Sequence, residues 1–178
     1  MKKVRPGGKS PSAQELAEKI NMADHPMISA YLAGPALLRD AVAAMSKEQL
    51  LARPIAGKWS TQEVVCHLAD TEQLYVHRMK RVIAEEHPTL FALDPDIYVA
   101  RMACARREVN EELQLVEVTR QQMGRILQCL GPADFARRGI HSEDGPLSLE
   151  TLLERIVAHL PHHVRFIREK RKALGLID

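Results

Sequence analysis

The sequence predicts an all-α protein, a bundle of four substantial helices. Three observations predict it. Apolar residues recur at helical spacing in four stretches, near 35–46, 60–86, 97–130 and 148–174. Those stretches open or close on helix-boundary chemistry at Ser60-Thr61-Gln62-Glu63, Gly131-Pro132 and Ser148. No segment alternates apolar and polar residues convincingly as a half-buried strand would, and no internal repeat is present. Packing amphipathic helices on one another is the way to bury such stripes.

At 178 residues one domain is expected. Residues 1–11 combine Pro6, Gly7, Gly8 and Pro11 with four cations, and the spacing predicts a flexible basic arm. A short helix is expected from Ser12 to Ile20. Asp24 or His25 before Pro26 is the next helix start. Gly34-Pro35 is expected to interrupt that segment, because proline lacks the amide that bonds to the preceding turn. The core helix then covers about 35–46, with Leu38, Val42 and Met45 inward. Residues 12–34 are thus a helical extension of a single bundle domain spanning 12–178.

The clearest start signal follows the loop Arg53-Pro54-Ile55-Ala56-Gly57-Lys58. Ser60 and Glu63 form a capping box, and Trp59 and Val64 are placed for a hydrophobic staple. Val64, Val65, Leu68, Tyr75, Met79, Val82 and Ile83 carry the stripe to about Glu86, and Pro88 ends it. A third helix is expected over about 97–130, because Met102, Val109, Val116, Met123 and Leu130 recur by sevens. Arg106 and Arg120 interrupt that seam and are expected to snorkel to solvent. The sharper alternative is that one of them meets an anionic substrate. Residues 137–146 read as a long polar loop. Ser148 caps the last helix, whose apolar face runs through Leu149, Leu152, Leu153, Ile156, Leu160, Val164 and Ile167.

The formal net charge of +2 and scattered basic residues give no reason to expect nucleic acid. The basic runs at either end lack interleaved aromatics and read as solvated. No apolar run approaches the roughly 18 residues of a membrane span. The basic N-terminus lacks the apolar core of a secretory signal. Cys66, Cys104 and Cys129 are odd in number and unpaired in spacing, which predicts reduced thiols and a cytoplasmic protein. All three are expected to pack as small apolar residues.

Three of eight histidines lie in Ala158-His159-Leu160-Pro161-His162-His163-Val164. His159 and His163 are one helical turn apart and share a face. With Leu160 at the centre of the apolar face, His163 falls about 60° away and His159 about 100°, on the same side. His162 falls about 160° away, toward solvent. On the second helix His67 borders the apolar stripe, whereas His77 lies on the polar side. His87 marks a helix end, His25 a cap or turn, and His141 a loop. His67, His159 and His163 therefore could hold one divalent ion, or could be hydrogen-bonded core histidines; periodicity leaves both open. Pro161 lies between two of them and is expected to help or spoil their convergence by bending the helix.

Lys58-Trp59-Ser60-Thr61-Gln62-Glu63-Val64-Val65-Cys66-His67-Leu68-Ala69-Asp70 resembles the second-helix signature of the DinB/YfiT-like bundle family. Glu86-His87-Pro88-Thr89, His141-Ser142-Glu143-Asp144-Gly145 with Leu147-Ser148-Leu149, and His159-Leu160-Pro161-His162-His163 resemble later segments of that family, in order, over about residues 33–171. The resemblance implies a four-helix bundle in up-down-down-up order with its long connection between helices two and three. It implies a divalent metal, zinc or nickel, on His67, His159 and His163. It also implies a transferase joining a low-molecular-weight thiol, such as bacillithiol or mycothiol, to an electrophilic small molecule. A metal-dependent hydrolase and a non-catalytic, stress-related metal-binding bundle are the alternatives. Asp70 or Glu63 could orient His67, and Arg120 could hold an anionic group of the thiol; no general base is assigned. Pro161, the longer N-terminal extension and an aromatic stretch reduced to Phe91 and Tyr98 depart from the family pattern. A homodimer through a helix face is expected.

Overall fold

A computed structural model of the chain describes residues 25–176. The basic arm at 1–11 and the short helix expected from Ser12 to Ile20 lie outside the described residues. The first described helix, α1, runs Pro26–Val42. His25 caps it, with Nδ1 accepting from the Met27 amide at 3.3 Å. The expected break at Gly34-Pro35 does not occur, so residues 26–34 belong to the first bundle helix. Pro35 lacks the amide that would bond to the Tyr31 carbonyl, and Arg120 Nη1 donates to that carbonyl instead, at 3.0 Å. Gly34 makes room: a Cβ there would fall 2.1 Å from Arg120 Nη1. The helix ends before Met45, and Ala44 turns the chain at φ 58°. Helix α2, Lys47–Leu51, follows under a second capping box, Ser46 with Gln49.

Helix α3, Thr61–Ala84, starts at the expected capping box. The single helix expected over 97–130 is divided. It comprises α4 (Pro95–Arg101), a 3-10 turn (Cys104–Arg106) and α5 (Val109–Leu127). Ala103 takes φ 50°, and Met102 is exposed rather than part of the seam. A distant residue holds this break open: Gln62 Nε2 on α3 donates to the carbonyls of Cys104 (2.6 Å) and Arg107 (2.8 Å). Arg107 then forks onto Asp70 at 2.9 Å and also pairs with Glu112.

Helix α6, Pro132–Phe135, precedes a small sheet in the stretch expected to be loop. Strands β1 (Thr89–Leu90), β2 (Arg138–His141) and β3 (Gly145–Ser148) lie in that order. β1 pairs parallel with β2, and β2 antiparallel with β3. Gly145 supplies the positive φ, 74°, that closes the hairpin. Helix α7, Leu149–Ala173, continues through Pro161.

The four long helices α1, α3, α5 and α7 form the bundle. α1 and α3 each pack on α5 and α7 and lie diagonally opposite one another. The order is up-down-down-up, with the long connection between α3 and α5. The core has two halves. One gathers Ile28, Tyr31, Val76, Met123 and Ile156; the other gathers Leu38, Ala69, Val116, Leu160 and Val164. Between them in sequence on α3 and α5 sits a buried polar pair, Glu72 and Arg120. Arg120, expected to snorkel, is instead 1% exposed, with Nε on Glu72 Oε2 at 2.8 Å and Nη2 on the Ile156 carbonyl at 3.2 Å. The Tyr31 hydroxyl donates to the other Glu72 oxygen. Burial, then the Glu72 charge, push that hydroxyl's pKa up, so it remains a donor. Pairing within the core removes Arg120 from any role in holding a substrate anion.

Candidate metal centre

The capping box sets the start of α3. The Glu63 amide donates to Ser60 Oγ at 3.1 Å, and the Ser60 amide to Glu63 Oε2 at 2.7 Å. His67 follows within two turns, 7% exposed. Trp59, just before the cap, stacks on His163 at 6.5 Å with planes 8° apart, and lies 5.0 Å from His67. His159 and His163 come from one face of α7. Pro161 does not part them: its ring faces solvent, and the two imidazole centroids are 4.5 Å apart.

The His67 centroid lies 5.0 Å from that of His159 and 4.7 Å from that of His163. One ring nitrogen from each residue falls within 4.8 Å of the others. His67 Nε2 and His159 Nε2 are 3.1 Å apart. One hydrogen bond could join those two nitrogens, but it would leave the third ring unexplained. The Nδ1 atoms of His159 and His163 are buried with no hydrogen-bond partner among the described residues. Three imidazoles converging in this way are a donor set suited to zinc, nickel, copper or iron. Behind His67, Thr71 Oγ1 lies 3.4 Å from Nδ1.

The electrostatics favour the neutral, ligating form. Burial lowers the pKa of His67 to about 4, with Asp70 and Asp96 opposing. Burial, and then the charge of His67, lower His159 to about 4. Burial, and then His159 and His67, lower His163 to about 3. At neutral pH all three keep a free lone pair.

Other candidates separate from this cluster. His162 is exposed, with Nδ1 3.4 Å from Arg165 Nη2. His77 and His87 are exposed, and His25 is a cap. Neither acidic residue considered for orienting His67 does so: Asp70 is bound by Arg107, and Glu63 by Ser60 and Arg53. Cys66 is buried with its Sγ directed at the Cys104 carbonyl, and burial pushes its thiol pKa up. Cys129 is exposed instead of packed.

Two clefts reach the trio. One, of about 290 Å³, includes Trp59, Val64, His163, Phe166 and Lys170 among its walls. Lys170 is 3% exposed and donates to the Phe166 carbonyl at 3.2 Å. The other cleft, of about 220 Å³, includes His67, Thr71, Tyr75, Arg78, His141 and His159. His141, expected in a solvated loop, is 8% exposed on β2. The local signal for that hairpin is Asp144-Gly145 followed by a strand-length run. Among the described residues no helix is long and apolar enough to cross a membrane.

The model of the DinB superfamily matches residues 30–167. A Bacillus licheniformis protein named as a proposed metal-dependent hydrolase is 29% identical over 142 residues, covering 79% of this chain and 81% of its own. YfiT of Bacillus subtilis, named in the same way, is 28% identical over 142 residues, covering 79% and 80%. The solved structure of YfiT, described as a proposed metal-dependent hydrolase with an unusual four-helix bundle topology, superposes with a TM-score of 0.80 at 25% identity, covering 97% of this chain and 95% of that one. With the family match spanning most of its length and the bundle order shared, the chain belongs to the DinB superfamily.

Proposed function

We propose that the protein is a metal-dependent enzyme in which His67, His159 and His163 hold one divalent ion, zinc or nickel, and that it joins a small thiol to an electrophile. The observation that carries the transferase reading is the pair of clefts at one trio. His163 borders one and His67 with His159 border the other, so two reactants have separate approaches. A bound divalent ion supplies the Lewis acidity that makes a thiol or a water nucleophilic at neutral pH. Trp59 stacks against His163 and forms a wall of the cleft on that side of the cluster. Thr71 sets the ring orientation of His67. The walls of Trp59, Val64 and Phe166 suit an apolar electrophile.

Hydrolysis by an activated water is the second reading, favoured by the names that the relatives carry. Turnover by zinc- or nickel-loaded protein decides between them. Conjugation of 2-mercaptoethanol to a chromogenic electrophile, lost in His163→Ala, supports the transferase. Ester hydrolysis with no conjugation across a panel of electrophiles supports the hydrolase. Metal analysis of His67→Ala tests the site: unchanged metal content would remove His67 from it.

A further inference from the structure

Two arginines among the described residues are at least nine-tenths buried, Arg120 and Arg78. They are treated very differently. Arg120 is matched by the Glu72 carboxylate. Arg78 is 5% exposed and forms no ion pair with any described carboxylate. Its Nη2 donates to the Phe91 carbonyl, and its Nε has no partner. Asp144 and Glu143 act on Arg78 only at longer range, and its guanidinium lies over the Tyr75 ring, 5.2 Å from the centroid. A buried guanidinium that no carboxylate reaches within ion-pair distance is costly, and its retention calls for a reason. Its position supplies one: Arg78 lines the same cleft as His67 and His159.

His141 adds a second donor. Its Nδ1 accepts from the Glu143 amide at 3.4 Å and the Asp144 amide at 3.3 Å. An imidazole that accepts at Nδ1 carries its proton on Nε2, so Nε2 is the donor that His141 has left to offer in this cleft. Glu143 and Asp144 stand among the cleft walls, and Asp144 is engaged by Arg155. The volume of about 220 Å³ lies below the roughly 300–1,000 Å³ of pockets that enclose a whole ligand. It therefore fits one end of a substrate.

We infer that this cleft is a carboxylate subsite, in which Arg78 and the Nε2–H of His141 hold an anionic end group of the thiol while its sulfur reaches the His67/His159 side of the trio. The inference rests on the proposed thiol chemistry for the identity of the other end, and on Arg78 and His141 alone for the carboxylate. A planar guanidinium fork is matched to a carboxylate, and such charge-assisted bonds are the strong ones.

The test is calorimetric binding to zinc-loaded protein of two thiols that differ in one group, mercaptoacetate and 2-mercaptoethanol. Wild type is expected to bind mercaptoacetate at least about tenfold more tightly. Acetate should compete with it. Arg78→Met should remove most of that preference while 2-mercaptoethanol binding and zinc content stay unchanged, because direct chelation by the carboxylate would survive the substitution. Arg78→Lys, which keeps the charge, and His141→Gln should each retain part of the preference and serve if Arg78→Met does not fold. Equal binding of the two thiols to wild type, or an undiminished preference in the Arg78 variants, overturns the subsite and leaves the metal reading intact. Acetate raising the melting temperature of metal-free wild type but not of Arg78→Met, and less that of Arg78→Lys, with neither thiol binding, supports the subsite and defeats the thiol reading.

Discussion

Glu72 and Arg120 show how one residue's role turns on its partner. Either alone would be an uncompensated buried charge; together with the Tyr31 hydroxyl and two backbone carbonyls they form a satisfied layer across the bundle. Glu72→Ala is expected to cost about 3–5 kcal/mol in urea unfolding, since it strands Arg120. The double variant Glu72→Leu/Arg120→Met should recover most of that loss. A loss below about 1 kcal/mol in Glu72→Ala would show that water already reaches the layer. Thr71 acts at the same scale on the candidate metal centre. Removing its hydroxyl in Thr71→Val should weaken metal binding by about 10–100-fold, as loss of an outer-shell partner does. The melting temperature of the metal-free protein should stay close to wild type, and competition with a chromogenic chelator would read the difference.

At the scale of elements, the division between α4 and α5 depends on a side chain more than 40 residues earlier in the chain. Gln62 satisfies two carbonyls that no helix ladder reaches. Gln62→Leu should leave both unpaired and cost roughly 1–3 kcal/mol for each carbonyl that water cannot reach. Faster amide exchange at residues 102–108, with α7 unaffected, is the local signature to look for. Protection unchanged across that break would show that Arg107, through Asp70 and Glu112, holds it alone. Helix α7 shows the opposite case. Pro161 removes one amide, yet packing by Leu160, Val164 and Ile167 on either side keeps the helix running, and the histidines stay in phase.

For the whole molecule, the trio makes stability depend on pH. The three histidines have pKa values lowered from 6.5 to about 4, 4 and 3 in the fold. Below pH 6.5 the unfolded chain takes up their protons and the native state does not. The unfolded state then binds more protons, so stability falls as pH falls. Metal-free protein should therefore melt at progressively lower temperature between about pH 6.5 and pH 4, with the slope fading once the folded trio titrates. His163→Gln should flatten the profile. A melting temperature independent of pH across that window would contradict neutral, buried imidazoles. Divalent metal should raise the melting temperature at pH 7, and a chelator should reverse the rise, because a ligand of the native state alone stabilises it.

The residues in order were enough to place a helix in each of the four stretches, to fix the start of α3 and to single out His67, His159 and His163 by phase; the bounds of α1 and α5 were not legible, and the likeness to the family is what joined the three histidines in one site. Phase and capping are local properties, set by neighbours within about one turn. The family likeness added the bundle order. The capping box at Ser46 and the Asp144-Gly145 turn were legible by the same local rules, though each is short. The tertiary structure alone decided the rest. Pro35 could stay inside a helix because Arg120 bonds to the carbonyl it frees. Arg120 went inward because Glu72 faces it from another helix. The heptad run from Met102 broke because Gln62 holds its carbonyls, and the strands formed because Thr89 and Leu90 pair with residues some fifty positions on. The clefts and Arg78, buried with no ion pair to a described carboxylate, belong to this second group. A residue's spacing reports its own helix, whereas the charge and hydrogen-bond partners it meets are set by other elements, and those meet it only once the bundle has closed.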